Sequence, residues 1–219
     1  MKKFLYLIPL SLFIACSGGA DKVETNKSEE STTNTEQKVE NCTYAYDNSK
    51  TTVLWEAYKF TERAAVGGKM DSIVVSNVKE SNDALKVVEN ASFEVYTSSV
   101  NSENSDRDMK IQKYFFGNLQ MPEKITGKVL RWEGATAGKA YLEISMNGIT
   151  KEMPFEYELS DKQRVKLTGQ LDVTEFQAGN AIAALNKICK ELHTGSDGKS
   201  KLWPDFKITV VTDLIKSGC

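Results

Sequence analysis

Histidine is almost missing from this chain: His193 is the single copy among 219 residues. A multi-histidine metal centre is therefore excluded. No Gly-rich phosphate loop, nucleophile elbow or metal-binding motif occurs either. A surplus of either charge is also lacking, since 28 basic side chains face 30 acidic ones, interspersed, for a net charge of -2. That balance leaves no electrostatic footprint for nucleic acid. Internal repeats are absent, and the apolar run Phe4 to Ala15 is too short to span a bilayer comfortably.

That run follows Lys2 and Lys3, and together they read as a secretion signal. Phe13-Ile14-Ala15-Cys16 fits a bacterial lipobox, which makes Cys16 the acylated N-terminus of the mature protein. The competing reading is an ordinary cleaved signal with a coincidental cysteine. Acyl chains contribute about 0.8 kcal/mol per buried methylene, so two or three of them anchor a protein durably. Ser17, rather than an acidic residue, points to the outer membrane by the proteobacterial sorting rule, with the leaflet left open. The expected location is thus the bacterial cell envelope. Residues 17–40 are polar and nearly devoid of apolar side chains, a tether holding the domain roughly 25–30 Å from the bilayer. Residues 41–219 are one domain's worth of chain.

The domain alternates like a β protein. Val53 to Thr61 reads as a strand, Gly67-Gly68 as a turn, and Lys69 to Val78 as the next strand. Lys79 to Asn90 is a loop with a helical turn. Phe93, Val95 and Thr97 alternate with Glu94, Tyr96 and Ser98 as a third strand. Ser105 then caps a short helix opened by Asp106 and Asp108. That helix carries Ile111 and Phe115 one turn apart and ends in the cluster Tyr114, Phe115, Phe116. Strands follow over 123–132, 139–146, 149–159 and 164–173, with Asn147-Gly148 the strongest hairpin signal and Pro154 marking an edge or bulge. Thr174 and Gln177 form a capping box for a helix to His193, expected to lie across the barrel as a lid or plug. A last strand covers Asp205 to Thr212. The sum is an all-β chain of eight antiparallel strands, with a short helix after the third strand and a longer one in the C-terminal half. The pattern allows a barrel or a two-sheet sandwich.

The stretch FEVYTSSVNSENSDRDMKIQKYFF (93–116), with WEAYKFTERAAVGG (55–68) upstream and NGITK (147–151) downstream, closely resembles the YceI-like family. The resemblance covers about Val53 to Thr212. It implies a lipocalin-like barrel and a polyisoprenoid or other long-chain amphiphile as ligand, with no cofactor and no enzymatic activity. It also leaves room for a homodimer. The candidate lining residues are Trp55, Tyr58, Phe60, Phe93, Val95, Phe115, Phe116, Ile144 and Phe155, of which one strand parity faces inward. Lys59 and Arg107 are the candidates for a polar head group. Ala57, Gly127 and Gly169, small residues opposite large ones, favour an open bore over a barrel filled by its own side chains. The sequence departs from many relatives after Arg107-Asp108, where Met109 replaces a longer polar and histidine-containing continuation. The long helix and the cysteines look lineage-specific.

Other chemistry is weaker. Cys189 and His193 share a helix face, as a nucleophile and base or two metal ligands would. That face is also the apolar stripe, where a packed cysteine or half a disulfide belongs. Asp106 and Asp108 point apart on a helix and serve its dipole. Arg107 fits a structural ion pair as well as a phosphate. Once Cys16 is acylated, Cys42, Cys189 and Cys219 remain, an odd number from which one disulfide is expected, its pairing left open.

Overall fold

The computed structural model describes residues 42–219. The acylation expected at Cys16, the signal expected over 1–16 and the tether expected over 17–40 lie outside the described residues. The strands are β1 (Thr43–Ala45), β2 (Thr51–Lys59), β3 (Ala64–Met70), β4 (Ile73–Ser76), β5 (Ser92–Tyr96) and β6 (Val100–Asn101). They continue as β7 (Lys124–Gly134), β8 (Ala137–Met146), β9 (Ile149–Ser160), β10 (Arg164–Asp172), β11 (Leu202–Asp213) and β12 (Ile215–Ser217). Three α-helices are α1 (Ala84–Val88), α2 (Ser105–Lys110) and α3 (Gly179–Ile188).

Ten strands form one antiparallel sheet in the order β4-β5-β7-β8-β9-β10-β11-β2-β3-β6. Only Asp71 and Ser72 separate β3 from β4, although the two stand near opposite ends of that order. The chain itself therefore crosses the seam, and the sheet curls round on itself as a lipocalin-like barrel. Backbone bonds from Asp71 N–H to the Ser99 carbonyl (3.0 Å) and from Tyr96 N–H to the Ser72 carbonyl (3.1 Å) hold the corner. The expected antiparallel barrel is what forms. The strand count rises from eight to ten because one bent strand splits into β3 and β4, and because β6 is a two-residue addition at the edge.

Antiparallel register assigns the two ends. One, the floor, carries the β7–β8 and β9–β10 turns, the start of β2 and the end of β11. α1 lies there with Ala84, Leu85, Val87 and Val88 all buried. Asp83 accepts from Leu85 N–H at its N-cap. The strands β1 and β12 pair separately across the floor, and a Cys42–Cys219 disulfide joins the residues flanking them. Among the described residues Cys189 is the free cysteine. The disulfide and the β1–β12 pair join the two ends of the described segment to each other.

The opposite end, the lid, carries the β8–β9 hairpin, where Asn147 and Gly148 take left-handed φ values of 54° and 74°. It also carries α2 and α3. Here the structure corrects the sequence reading in three places. Gly67 and Gly68 sit inside β3, opposite Glu56 and Trp55, and the turn is made by Phe60 to Arg63. Phe60 and Arg63 adopt positive φ; Phe60 is held there by Trp203 Nε1 donating to its carbonyl at 2.7 Å and by its own N–H donating to the Lys201 carbonyl at 2.9 Å, and the Arg63 side chain is paired with Asp205. The helix expected over 174–193 breaks into a 3-10 turn (Val173–Phe176), α3 and a second 3-10 turn (Glu191–His193). Asp172, not Thr174, caps the first turn, accepting from Thr174 N–H at 2.8 Å, and Gln177 turns left-handed instead of closing a capping box. Likewise Asn104 rather than Ser105 caps α2. Pro154 lies beyond the β9 residues paired to β10, which start at Glu156, so the proline occupies a local edge inside the sheet.

Candidate ligand cavity

An apolar cavity of about 250 Å³ occupies the barrel, and residues of all ten strands of the sheet line it. Strand alternation selects the wall. On β2, Thr51, Val53, Trp55 and Ala57 face in; on β11, Phe206, Ile208, Val210 and Thr212 do. None of the lining residues is charged.

What keeps the bore open is a recurring cross-strand pair. Trp55 stands opposite Gly68, and Phe93 opposite Gly127. Phe155 lies against Gly169 one strand over, as the β9–β10 register predicts when extended by one residue. In each case a Cβ built on the glycine would fall 2.3–2.6 Å from the ring. The aromatic ring lies flat over the neighbouring backbone and becomes part of the wall instead of projecting into the lumen. The glycines flagged as small opposite large thus have a geometric role, and Gly68 joins them.

The lid end of the bore is walled by helices. α2 runs straight on into one wide π turn (Ile111–Phe115), closed by Phe116 N–H donating back to the Ile111 and Gln112 carbonyls. Widening the turn directs Ile111, Phe115 and Phe116 to the cavity, where Ile182 and Leu185 of α3 meet them. At the floor, Val88 and Ala91 close the bore. Three hydroxyls on the wall satisfy one another: Tyr46 Oη and Thr51 Oγ1 are 2.8 Å apart, as are Thr51 Oγ1 and Thr212 Oγ1. Burial pushes the Tyr46 phenol up, so it stays neutral.

Of the candidate residues, Trp55, Phe93, Val95, Phe115, Phe116, Ile144 and Phe155 line this cavity. Tyr58, Lys59, Phe60 and Arg107 do not. Tyr58 has the opposite strand parity; its hydroxyl donates to Glu56 at 2.8 Å and the Arg63 guanidinium stacks on its ring. Lys59 donates to the Leu192 carbonyl at 3.2 Å, outside the bore, and Phe60 belongs to the turn. Arg107 sits in the first turn of α2, before the helix widens toward the cavity. Sequence reasoning missed Trp132, Trp203, Phe206, Ile208 and Val210. The last three alternate at period two and were legible; Trp203 lies in a part of β11 upstream of a register shift, where that pattern is broken.

The alternative sites lack reactive chemistry. Burial pushes the Cys189 thiol up, away from a thiolate at neutral pH. His193 is held to about 4, mainly by burial and then by the nearby Lys59 ammonium, and its Nδ1 lies 2.9 Å from Asn186 Oδ1. Asp108 accepts from the Ser102 N–H and hydroxyl at 2.9 and 2.6 Å, a structural role. Among the described residues no group of three or more His, Cys, Asp or Glu side chains is placed to hold a metal.

Comparison with known proteins places this geometry. A search of curated protein sequences finds no match. Among solved structures, a polyisoprenoid-binding domain from Saccharophagus degradans implicated in plant cell wall breakdown superposes with a TM-score of 0.56 at 10% identity, covering 82% of this chain and 99% of that one. Burkholderia cenocepacia BcnA superposes with a TM-score of 0.52 at 11% identity, covering 77% and 98%. At such identities the likeness is one of fold. The YceI-like domain model matches residues 44–212, from the floor strand β1 to the end of β11, and the chain belongs to the YceI-like family.

Proposed function

We propose that the protein binds a polyisoprenoid or other long-chain amphiphile in the barrel and stores or carries it in the cell envelope, anchored through an acylated Cys16. One observation carries this reading: an uncharged, apolar bore held open by aromatic–glycine pairs and closed at the floor. A barrel filled by its own side chains would have no reason to lay three large rings flat against its wall. Each five-carbon isoprene unit drawn into such a bore offers roughly 3–4 kcal/mol gross, at about 0.8 kcal/mol per carbon. A few units outweigh the cost of association. With no charge on the wall, a charged head group stays outside while the hydrocarbon enters. The polyisoprenoid named for the Saccharophagus domain of the same fold supports this ligand class.

The test is to express residues 42–219, purify them natively, extract with organic solvent and identify the extract by mass spectrometry. A long-chain species near one per protein is expected. An empty extract, repeated after the protein is offered a mixed envelope-lipid pool, overturns the reading.

A further inference from the structure

The outer side of the lid has a character of its own. Met109 of α2, Ile188 at the end of α3 and Leu192 in the turn after it are 57%, 48% and 59% exposed, three of the large apolar side chains most open to solvent. Around them stand Arg107, Lys110, Lys113, Lys187 and Lys190, none of which forms an ion pair among the described residues. Lys59 joins the group through its bond to the Leu192 carbonyl. α3 packs against the π turn that continues α2, which brings the end of α2 and α3 together at the lid. Segments 105–115 and 179–193 with Lys59 hold six cations against three carboxylates, in a chain whose net charge is -2. One of the three, Asp108, is occupied by Ser102.

We infer that this face is a docking surface for an anionic lipid bilayer, and that the lid over the cavity is the part of the barrel that meets the membrane. The inference rests on reading the barrel as a lipid carrier. Apolar tips among unpaired lysines suit the boundary between head groups and acyl chains, where each basic residue attracts anionic lipid and long stems reach past the apolar surface. The inner side of the same helices walls the bore, with Ile111 and Phe115 from the π turn and Ile182 and Leu185 from α3. A hydrocarbon chain leaving the bilayer at this face would pass from acyl chains to cavity wall without crossing open water.

The test is flotation of the unacylated segment 42–219 with vesicles of phosphatidylcholine alone and of phosphatidylcholine with phosphatidylglycerol in equal parts. Binding is expected to the anionic vesicles only, weakening as salt rises to physiological strength. Charge reversal at Lys110, Lys187 and Lys190 to Glu is expected to reduce it at least about a hundredfold, from about fivefold for each cation lost. Reversal of the exposed Lys139 and Lys166 to Glu, near the floor end, should leave it unchanged. Met109→Ser with Leu192→Ser should weaken binding while preserving its salt dependence. Equal binding to both vesicle types, no binding, or equal loss from the floor-end reversal overturns the proposal; the wild-type result alone suffices if a variant misfolds. Ligand content, measured by extraction from the same preparation, separates the two ideas. A loaded protein that ignores vesicles defeats only the docking surface; an empty protein that binds them defeats only the carrier.

Discussion

The two ends of the barrel are built to different specifications. At the floor, four of the five residues of α1 are buried, Tyr44 exchanges two backbone bonds with Ser81, and a disulfide staples the termini of the domain. At the lid, α2 buries none of its six residues and α3 buries only Ala181 and Leu185, while both leave apolar side chains in solvent. Since helices gain most of their stability from packing, α2 and α3 rest on less than α1 does, although the turn before α3 keeps Val173 and Phe176 fully buried. On the proposed carrier reading the asymmetry has a use, because helices that part for cargo are then not the ones that secure the fold.

Native-state hydrogen exchange reads the contrast most directly. Amides of α2 and α3 should exchange through local opening, at least about a thousandfold faster than the central β8 and β9 amides, which open only with global unfolding. Protection at α1 should approach that of the strands. Comparable protection across both ends would abolish the distinction.

The disulfide supplies the next test. It closes a loop with a sequence separation of 177. Chain entropy would assign such a loop about 5 kcal/mol, and about 2–4 kcal/mol is the usual measured yield. Cys42→Ser should therefore lower the melting temperature by roughly 5–15 °C, monitored by circular dichroism. Vesicle binding at 25 °C should be unaffected, because the loss falls at the floor. A variant as stable as wild type would mean that β1 and α1 hold the floor without the staple.

Gly169→Ala probes the bore between the two ends. Of the three glycines under aromatic rings, this one would bring its Cβ against the Phe155 ring alone, with no backbone atom among its nearest neighbours. The ring must leave the wall for the lumen, at about 1–3 kcal/mol of overpacking strain. Bound lipid should fall severalfold in the extraction assay, with exchange at the floor unchanged. Undiminished lipid would show that the cargo does not pass that ring.

How much of this was legible follows from where the constraints are local. β8 and β9 announce themselves through alternation and Asn147-Gly148, because a turn that needs positive φ twice admits few sequences. Phe93 and Phe155 were readable as wall residues for the same period-two reason. Gly67-Gly68 misled because a glycine pair signals a turn unless a tertiary partner intervenes, and the Trp55 ring over Gly68 is invisible to any local pattern. The first turn of the expected helix is capped by Asp172, a stronger capping residue than Thr174, and it ends at Gln177 in a left-handed conformation that a capping box does not signal. Lys59 and Arg107 are candidates for a polar head group by charge alone. One lies on the outer face of the lid and the other at the start of α2, positions that depend on how helices pack on a barrel rather than on strand parity.

The smallest expected effect is a pH dependence confined to the lid. His193 titrates near 4 in the folded protein, held there by burial first and the Lys59 ammonium second, against an ordinary value of 6.5. The unfolded chain therefore binds this proton more readily. The stabilisation is complete above pH 6.5 and is lost as pH falls from there toward 4. The ring is only about half buried, so solvent screening reduces the effect to roughly 1–2 kcal/mol. The Asp and Glu carboxyls with resolved shifts, such as Asp205 beside Arg63 and Glu56 beside Lys207, are all lowered from 3.8 or 4.5. Their contributions disappear mainly at lower pH than that of His193, so among the resolved shifts of the described residues His193 acts first as pH falls from 6.5 toward 4.5. Exchange at α3 should accelerate across that interval while α1 stays protected, and His193→Gln should flatten the response. An equal acceleration at the floor would mean that acid loosens the whole barrel, and the two ends would then differ in packing but not in proton sensitivity.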